Sequence, residues 1–236
     1  MAADGGFAFK RFAVRQDRCA MKVGTDGVLL GAWARGGRKV LDIGTGTGLI
    51  ALMVAQRCPG AAVTAIDIDA AACSQAAGNI AASPFAGRVE VAHRSLQDLA
   101  ADAPGPLFDS VVSNPPFFAD PPVGAVTRRT LARQAVALPY RDLFAGVSRL
   151  LSPGGAFSAI IPTDRLGDFM AESFIHGFFL HRRCLVRTVE GKPPKRALVE
   201  FSLSRPQCVE EEERCLHAAG GGRSGWYAAL TSDFYL

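Results

Sequence analysis

The chain has 236 residues, of which 49% are hydrophobic and 20% are charged, with a formal net charge of +4 at pH 7. This composition excludes a disordered chain, and the small net charge does not by itself indicate a nucleic-acid partner. The six cysteines form no C-x-x-C pair, and no apolar stretch reaches the roughly 18 residues of a membrane span. We therefore expect a cytoplasmic protein with reduced thiols, no membrane segment and no metal site.

Apolar runs in the first half of the chain alternate with amphipathic stretches. The strand-like runs cover 39–44, 62–69, 88–96 and 108–114, and the helical patterns cover 49–58 and 70–83. Short, continuous apolar runs separated by helices are typical of parallel strands that are buried on both faces. The pattern predicts a doubly wound α/β sheet.

The second half of the chain continues this order and then changes it. A helical pattern over 140–155 with a Pro-Gly-Gly stop precedes a fifth strand at 156–162, and a capped helix follows at 163–177. The connection between the last two strand patterns, 179–189 and 196–204, is too short for a crossover helix. We therefore expect these two strands to form an antiparallel hairpin.

Three glycines follow the first predicted strand, in the sequence LDIGTGTG at 41–48. Glycines at the start of a helix let the main chain approach a ligand closely, so Gly44, Gly46 and Gly48 predict a loop that cradles a cofactor. The dinucleotide fingerprint G-x-G-x-x-G is not met because position 49 is leucine. This departure weakens the case for a nicotinamide cofactor.

Two acidic residues flank the glycine loop. Asp42 precedes it directly, and Asp67 closes the second predicted strand, at the distance where a carboxylate can bind ribose hydroxyls. A helix cap and a structural turn are the alternative interpretation. With the strand–loop–helix order, these residues resemble the S-adenosyl-L-methionine (SAM) site of class I methyltransferases. The resemblance implies that Asp42 lies near the methionine amino group and that Asp67 holds the ribose.

The same resemblance implies a Rossmann-like sheet of seven mostly parallel strands with an antiparallel last strand.

The end of the third strand departs from the family, because many members carry an acidic residue there that contacts the adenine amino group. The aligned residue in this chain is Ser95. Ser95 can make that hydrogen bond, it can be a plain loop serine, or the contact can pass to a backbone amide near Leu96.

The fourth predicted strand ends in SNPPFF, at 113–118. Prolines fix the backbone and cannot continue a sheet ladder, so Pro115 and Pro116 make a stiff exit from the strand. At this edge, the Asn114 side-chain oxygen and the Pro115 carbonyl can accept the two N–H groups of a planar amine. Phe117 offers a face for stacking. A Pro-Pro turn with two core phenylalanines is the alternative, and Phe118 is expected to serve packing.

NPPF is similar to the (Asn/Asp)-Pro-Pro-(Tyr/Phe/Trp) motif of methyltransferases that modify planar amino groups. The run at 9–34, together with 41–57 and SNPPFF, resembles more particularly the bacterial tRNA1(Val) adenine-37 N6-methyltransferases. This resemblance implies transfer from SAM to adenine N6 in a tRNA anticodon loop, with no obligate protein partner inferred. A single domain over 1–236 is expected, in which 39–204 form the core.

In that layout, 1–38 cover the cofactor and substrate, and 205–236 are a C-terminal extension. Lys22, Thr25 and Asp26 become candidates for the rim of the site, although Asp26 can equally cap a turn. The residues that the resemblances assign to catalysis are Asn114, Pro115, Pro116 and Phe117. Those assigned to the cofactor are Lys22, Thr25, Asp42, Gly44, Thr45, Gly46, Gly48, Asp67, Ile68, Ser95, Leu96 and Asn114.

Basic residues occur in three clusters that fit an RNA partner, although a solvated surface is the alternative for each. The clusters are Lys10, Arg11, Arg15, Arg18 and Lys22, interleaved with Phe7, Phe9 and Phe12; Arg128, Arg129 and Arg133; and Lys192, Lys195 and Arg196. The acidic run at 209–214 is expected to point away from RNA.

The competing activities are methylation of a release-factor glutamine, and of rRNA or DNA amino groups. Glutamine methyltransferases carry a helical domain before the glycine loop, for which the residues preceding Asp42 leave too little chain.

Overall fold

The computed structural model describes residues 6–18, 22–116 and 138–236. Two short strands, β1 (Phe7–Ala8) and β2 (Ala13–Val14), pair as an antiparallel hairpin. The strands of the main sheet are β3 (Lys39–Ile43), β4 (Ala62–Asp67), β5 (Val89–His93), β6 (Phe108–Ser113), β7 (Leu151–Pro162), β8 (Phe179–Arg187), β9 (Arg196–Ser202) and β10 (Glu210–Cys215).

Helices connect these strands and cover the sheet. They are α1 (Thr25–Trp33), α2 (Leu49–Arg57), α3 (Ala70–Ala81), α4 (Leu96–Asp102), α5 (Tyr140–Leu150), α6 (Leu166–Ile175) and α7 (Gly225–Leu230), with a 3₁₀ turn at Thr163–Arg165. Among the described helices, none is both long and apolar enough to cross a membrane.

Within the described residues, the main sheet has eight strands in the order β10-β8-β9-β7-β6-β3-β4-β5. Strands β3 to β7 pair in parallel, whereas β9 runs antiparallel to both β7 and β8. The predicted doubly wound α/β sheet and the predicted antiparallel hairpin are both confirmed. The helix expected over 140–155 ends at Leu150, and β7 begins directly at Leu151.

The part of the sheet that the structure describes has one strand more than the expected seven. The acidic run forms β10, which pairs in parallel with β8 at the edge of the sheet. Ion pairs hold it there, since Arg183 and Glu211 approach to 2.6 Å and Arg187 and Glu213 to 2.5 Å. The run has almost no apolar residues, so its hydrophobic pattern could not identify it as a strand.

Alternate residues of each central strand pack into two hydrophobic cores. Val40, Val112 and Ile160 belong to the core that contains α1, α2 and α3, whereas the adjacent Leu41 and Val111 belong to the core that contains α4, α5 and α6. The side-chain period of two places these sets on opposite faces of the sheet. Fully burying an aliphatic or aromatic side chain contributes about 1.5–3 kcal/mol, so these two layers supply most of the stabilisation.

The chain ends pack against the first of these cores. Phe9 and Phe12 near the N-terminus and Phe234 near the C-terminus are buried in it. The Lys10 backbone N–H donates to the Phe234 carbonyl oxygen at 2.8 Å. From this packing we propose that both additions belong to the same domain as the core.

Candidate active site

A cavity of about 840 Å³ opens at the carboxyl edge of the sheet. It is lined by the ends of β3, β4 and β6, by the starts of α2 and α4, and by the beginning of α1. Strand order reverses between β3 and β6, and open α/β sheets bind ligands at such a switch point. The Ser113 hydroxyl donates to the Ile43 carbonyl oxygen at 3.0 Å, which ties the ends of β6 and β3 together.

The glycine loop adopts a backbone that favours glycine. Gly44, Gly46 and Gly48 have φ values of 71°, 55° and 82°, in the left-handed region that other residues rarely adopt. A Cβ at Gly44 would meet nothing within 4 Å, so the main chain there faces open space. A Cβ at Gly48 would lie 3.3 Å from the Ala76 Cβ. Gly48 therefore permits α3 to pack and does not line the cavity, unlike Gly44 and Gly46.

Hydrogen bonds fix this loop to the end of β4. The backbone N–H groups of Gly44 and Thr45 donate to the Ile66 carbonyl oxygen at 2.9 and 3.0 Å. The Gly46 N–H donates to Asp67 Oδ2 at 2.9 Å. The loop is therefore set in place by β4, and the buried Thr45 lines the cavity as part of it.

Asp67 lines the cavity and also holds the loop. Its Oδ1 accepts from the Asp69 N–H at 3.0 Å, while its Oδ2 accepts from Gly46. Each carboxylate oxygen can accept a further hydrogen bond, so the predicted ribose contact is compatible with both structural ones. The next residue, Ile68, is 48% exposed and lines the cavity, where it offers an apolar surface.

Asp42 is fully buried under the loop and is not among the residues that line the cavity. Its Oδ2 accepts from the Thr45 hydroxyl at 2.6 Å, whereas its Oδ1 accepts no hydrogen bond from the described residues. Burial raises the pKa of this carboxyl group to about 7, although the Thr45 hydrogen bond acts in the opposite direction. The structure thus gives Asp42 a role beneath the glycine loop, and its contact with an amino group stays a prediction.

Ser95 lines the cavity, but its hydroxyl is used in capping α4. The Ser95 Oγ accepts from the Asp98 N–H at 3.0 Å and donates to Asp98 Oδ2 at 2.6 Å. The hydroxyl proton is therefore committed within the helix cap. Leu96 is the first residue of α4 and also lines the cavity, and N–H groups in the first turn of a helix have no partner within the helix. This arrangement favours the Leu96 amide over the Ser95 hydroxyl for an adenine contact.

Asn114 follows β6, is half-buried and lines the cavity. Pro116 also lines it, whereas Pro115 is buried and is not among the lining side chains. The structure therefore brings Asn114 and Pro116 together with the glycine loop. The Pro115 carbonyl remains a predicted acceptor, and Phe117 and Phe118 lie outside the described residues.

The predicted rim residues Lys22, Thr25 and Asp26 all line the cavity. Asp26 Oδ2 accepts from the Arg196 guanidinium Nε at 2.8 Å, an ion pair that joins α1 to the start of β9. Arg196 lines the cavity as well. Arg196, a member of the third basic cluster, is therefore held in the cavity wall by an acidic partner 170 positions away.

The phenylalanines of the N-terminal basic cluster belong to the core. Phe9 and Phe12 are 4% and 6% exposed, and their ring centroids lie 4.7 Å apart in a stacked arrangement. These two rings therefore serve packing, and any RNA contact of this cluster falls to its basic residues. Arg128, Arg129 and Arg133 lie outside the described residues.

Several lining residues were not predicted. They contribute apolar walls, three polar side chains and two cations: Leu49, Ile50, Ile66, Ala72 and Leu138; Thr47, Gln97 and Ser113; and Arg94 and Arg196. Most of them are neighbours of predicted residues along the chain. Leu138 and Arg196 are distant in sequence, and only the folded sheet reveals them.

The cavity can hold the cofactor that the resemblance implies. It combines a carboxylate for hydroxyl groups at Asp67, open main chain at Gly44, and apolar side chains such as Ile68 and Leu96 for a planar base. In the described parts of the chain, no group of His, Cys, Asp and Glu side chains is arranged to hold a metal ion.

Comparison with known proteins places this site in a family. Residues 23–161 match the family model "Methyltransferase small domain". A tRNA1(Val) (adenine(37)-N6)-methyltransferase from Phocaeicola vulgatus is 47% identical over 232 residues, covering 98% of this chain and 97% of the relative. A protein of the same name from Aeromonas hydrophila is 43% identical over 241 residues, covering 100% and 99%.

Among solved structures, a "predicted O-methyltransferase" from Agrobacterium tumefaciens superposes with a TM-score of 0.66 at 20% identity, covering 89% of this chain and 96% of that one. At this identity the likeness concerns the fold, and it confirms the Rossmann-like class I methyltransferase architecture.

Proposed function

The chain belongs to the family of tRNA1(Val) (adenine(37)-N6)-methyltransferases, and we propose that it methylates N6 of adenine 37 in the anticodon loop of tRNA1(Val), using SAM. The observation that carries the proposal is the position of Asn114. This side chain lines the same cavity as the glycine loop, at the end of the strand next to β3.

The acceptor determines what the site must supply. The exocyclic amine of adenine is a poor nucleophile, because its lone pair is delocalised into the ring. In the proposed mechanism, the Asn114 side-chain oxygen and the Pro115 carbonyl oxygen accept one N–H bond each. These two bonds draw the nitrogen towards tetrahedral geometry and direct its lone pair into the cavity, so positioning and electrostatics supply the acceleration.

SAM, when bound, supplies an electrophilic methyl group on a positively charged sulfur. We assign the ribose hydroxyls to Asp67, the adenine edge to the Leu96 amide, and the adenine faces to Ile68 and its apolar neighbours. The glycine loop supplies main-chain contacts near the methionine end. The amine proton leaves after methyl transfer, when the product ammonium is strongly acidic.

A parallel incubation tests the substrate. The protein is incubated with SAM labelled in its methyl group and with total tRNA, release-factor protein or duplex DNA, followed by nucleoside or peptide analysis. We expect label as N6-methyladenosine at position 37 of tRNA1(Val). Label in a glutamine amide or in DNA would overturn the proposal, as would modification of tRNA at another position.

Substitution of Asn114 tests the mechanism. We expect Asn114→Ala to lower kcat by about 10²–10³-fold, the effect of removing one electrostatic contact at a reacting centre. The Kd for SAM should stay within about twofold, because the lost contact is to the acceptor amine. Asn114→Asp keeps a side-chain oxygen acceptor and should retain more activity than the alanine variant. Equal turnover in wild type and Asn114→Ala would rule out the assigned role.

A further inference from the structure

The loop between β8 and β9, residues 188–195, lies at the same edge of the sheet as the cavity. The Thr163 N–H, directly after β7, donates to the Lys195 carbonyl oxygen at 3.2 Å, and Pro162 pairs with Arg196. Strand β7 neighbours β6, and Ser113 pairs with Ala159. From the rise per residue and the spacing between strands, the end of this loop lies roughly 10–15 Å from the Asn114 backbone. It lies on the side of Asn114 that faces away from β4.

The arginines of this hairpin are occupied by acidic partners. Arg182 pairs with Glu200 at 2.8 Å, Arg183 with Glu211 at 2.6 Å, and Arg187 with Glu213 at 2.5 Å. Arg196 pairs with Asp26. The pairs of Arg183 and Arg187 hold the hairpin to β10, that of Arg196 holds it to α1, and that of Arg182 joins its two strands. The charges of these four cations are therefore largely neutralised within the protein.

The two lysines of the loop differ from these arginines. Lys192 and Lys195 are both exposed, and neither forms an ion pair with any residue in the described ranges. The loop itself is well anchored, since the Thr163 hydroxyl donates to the Pro194 carbonyl oxygen at 2.8 Å and the Arg187 guanidinium donates to the Lys192 carbonyl oxygen at 2.6 Å. Two lysine charges without an ion-pair partner in the described residues are thus presented on an anchored Pro-Pro loop beside the acceptor side of the cavity.

From this arrangement we propose that Lys192 and Lys195 bind phosphates of the RNA backbone next to the target base. The inference rests on the proposed tRNA substrate and names the element that holds it. Lysine contacts to phosphate release condensed counterions and carry little sequence information, so they position the RNA without selecting the base. Because the anchored loop is ordered by Thr163 and Arg187, little ordering of the loop itself has to accompany binding.

The salt dependence of tRNA binding tests this assignment. We expect the double variant Lys192→Ala/Lys195→Ala to weaken binding of unmodified tRNA1(Val) on the order of tenfold at 0.1 M salt. The slope of log Kd against log salt should fall by about 1.4, roughly 0.7 for each lost contact to an unpaired strand. KM for tRNA should rise with kcat and SAM affinity unchanged. Lys192→Arg/Lys195→Arg should retain both the affinity and the slope.

Two further variants provide matched comparisons. Lys39→Ala removes an exposed lysine at the amino end of β3, on the opposite edge of the sheet, and should leave tRNA affinity unchanged. Glu190→Gln removes the acidic charge of the same loop and should strengthen tRNA binding. An unchanged salt slope in the double alanine variant would overturn the inference while the methylation of tRNA by the wild type still stood. Methylation of a protein and not of tRNA would instead overturn the proposed function.

Discussion

The buried carboxyl group of Asp42 makes the stability of the protein depend on pH. Its pKa is raised from 3.8 to about 7, chiefly by burial and to a smaller extent by the nearby Asp67 charge, with the Thr45 hydrogen bond acting in the opposite direction. Ionising Asp42 therefore costs on the order of 4 kcal/mol more in the native state than in the unfolded chain. Since the native pKa is the higher one, the stabilisation is fully present below about pH 4 and is lost as the pH rises to about 7.

Asp42→Asn removes this titration while keeping an oxygen that can accept from Thr45. Between pH 5 and pH 8, we expect the free energy of unfolding of the wild type to fall by roughly 3 kcal/mol relative to the variant. For a chain of this size, that corresponds to a relative change in Tm of roughly 6–12 °C. Any constant cost of placing an amide at position 42 cancels, because only the pH dependence is compared.

The measurement is thermal or denaturant unfolding of both proteins without SAM, in matched buffers across this range. Asp17→Asn changes an exposed carboxylate, 62% accessible at its side chain, and is the matched control variant, measured in the same buffers. Parallel profiles for wild type and Asp42→Asn would refute the argument. They would mean that the Asp42 carboxyl group is ionised throughout and that burial does not control it.

Two residues at the cavity separate cofactor contact from structural support. Asp67→Asn keeps one acceptor oxygen, for the Gly46 N–H, but loses the charge and the acceptor of the Asp69 N–H. We expect the Kd for SAM to rise about tenfold, the value of a charge-assisted hydrogen bond, and the stability to fall by about 1 kcal/mol. An unchanged SAM affinity in calorimetric titration would remove Asp67 from the ribose role. Ser95→Ala loses the cap of α4 and should cost about 1 kcal/mol of stability, measured by urea unfolding, with SAM affinity within about twofold. A large loss of SAM affinity in Ser95→Ala would instead restore the serine hydroxyl to the adenine contact.

Much of the fold was predictable because its signals are local. The glycine loop, the acidic residue at the end of β4 and the prolines after β6 each mark the carboxyl end of a strand by residue type. Parallel strands bring those ends to one edge, which is why Asp67, Gly46 and Asn114 line one cavity. The short connection before Arg196 likewise predicted the antiparallel hairpin from its length alone.

The failures have one physical origin, namely partners that are distant along the chain. Whether a basic side chain is available to bind RNA depends on whether an acidic side chain pairs with it in the fold. Arg196 and Lys195 are neighbours in the sequence, so their local sequence cannot tell them apart. Asp26 neutralises the first and nothing in the described residues neutralises the second. The acidic run of β10 is a second example. It is held at the edge of the sheet by ion pairs with Arg183 and Arg187 on β8, which are distant from it along the chain.

Asn79 shows how far such long-range contacts shape the site. Its side-chain oxygen accepts from the Arg15 N–H at 2.9 Å, and its amide nitrogen donates to the Arg15 and Thr47 carbonyl oxygens, each at 2.9 Å. One buried amide on α3 thus joins the segment before α1 to the glycine loop. An aspartate could not make the two donations, and a leucine would leave three backbone groups without their partner. The N-terminal segment is therefore positioned by the same helix that packs against Gly48, which gives a physical basis for its proposed role in covering the cofactor.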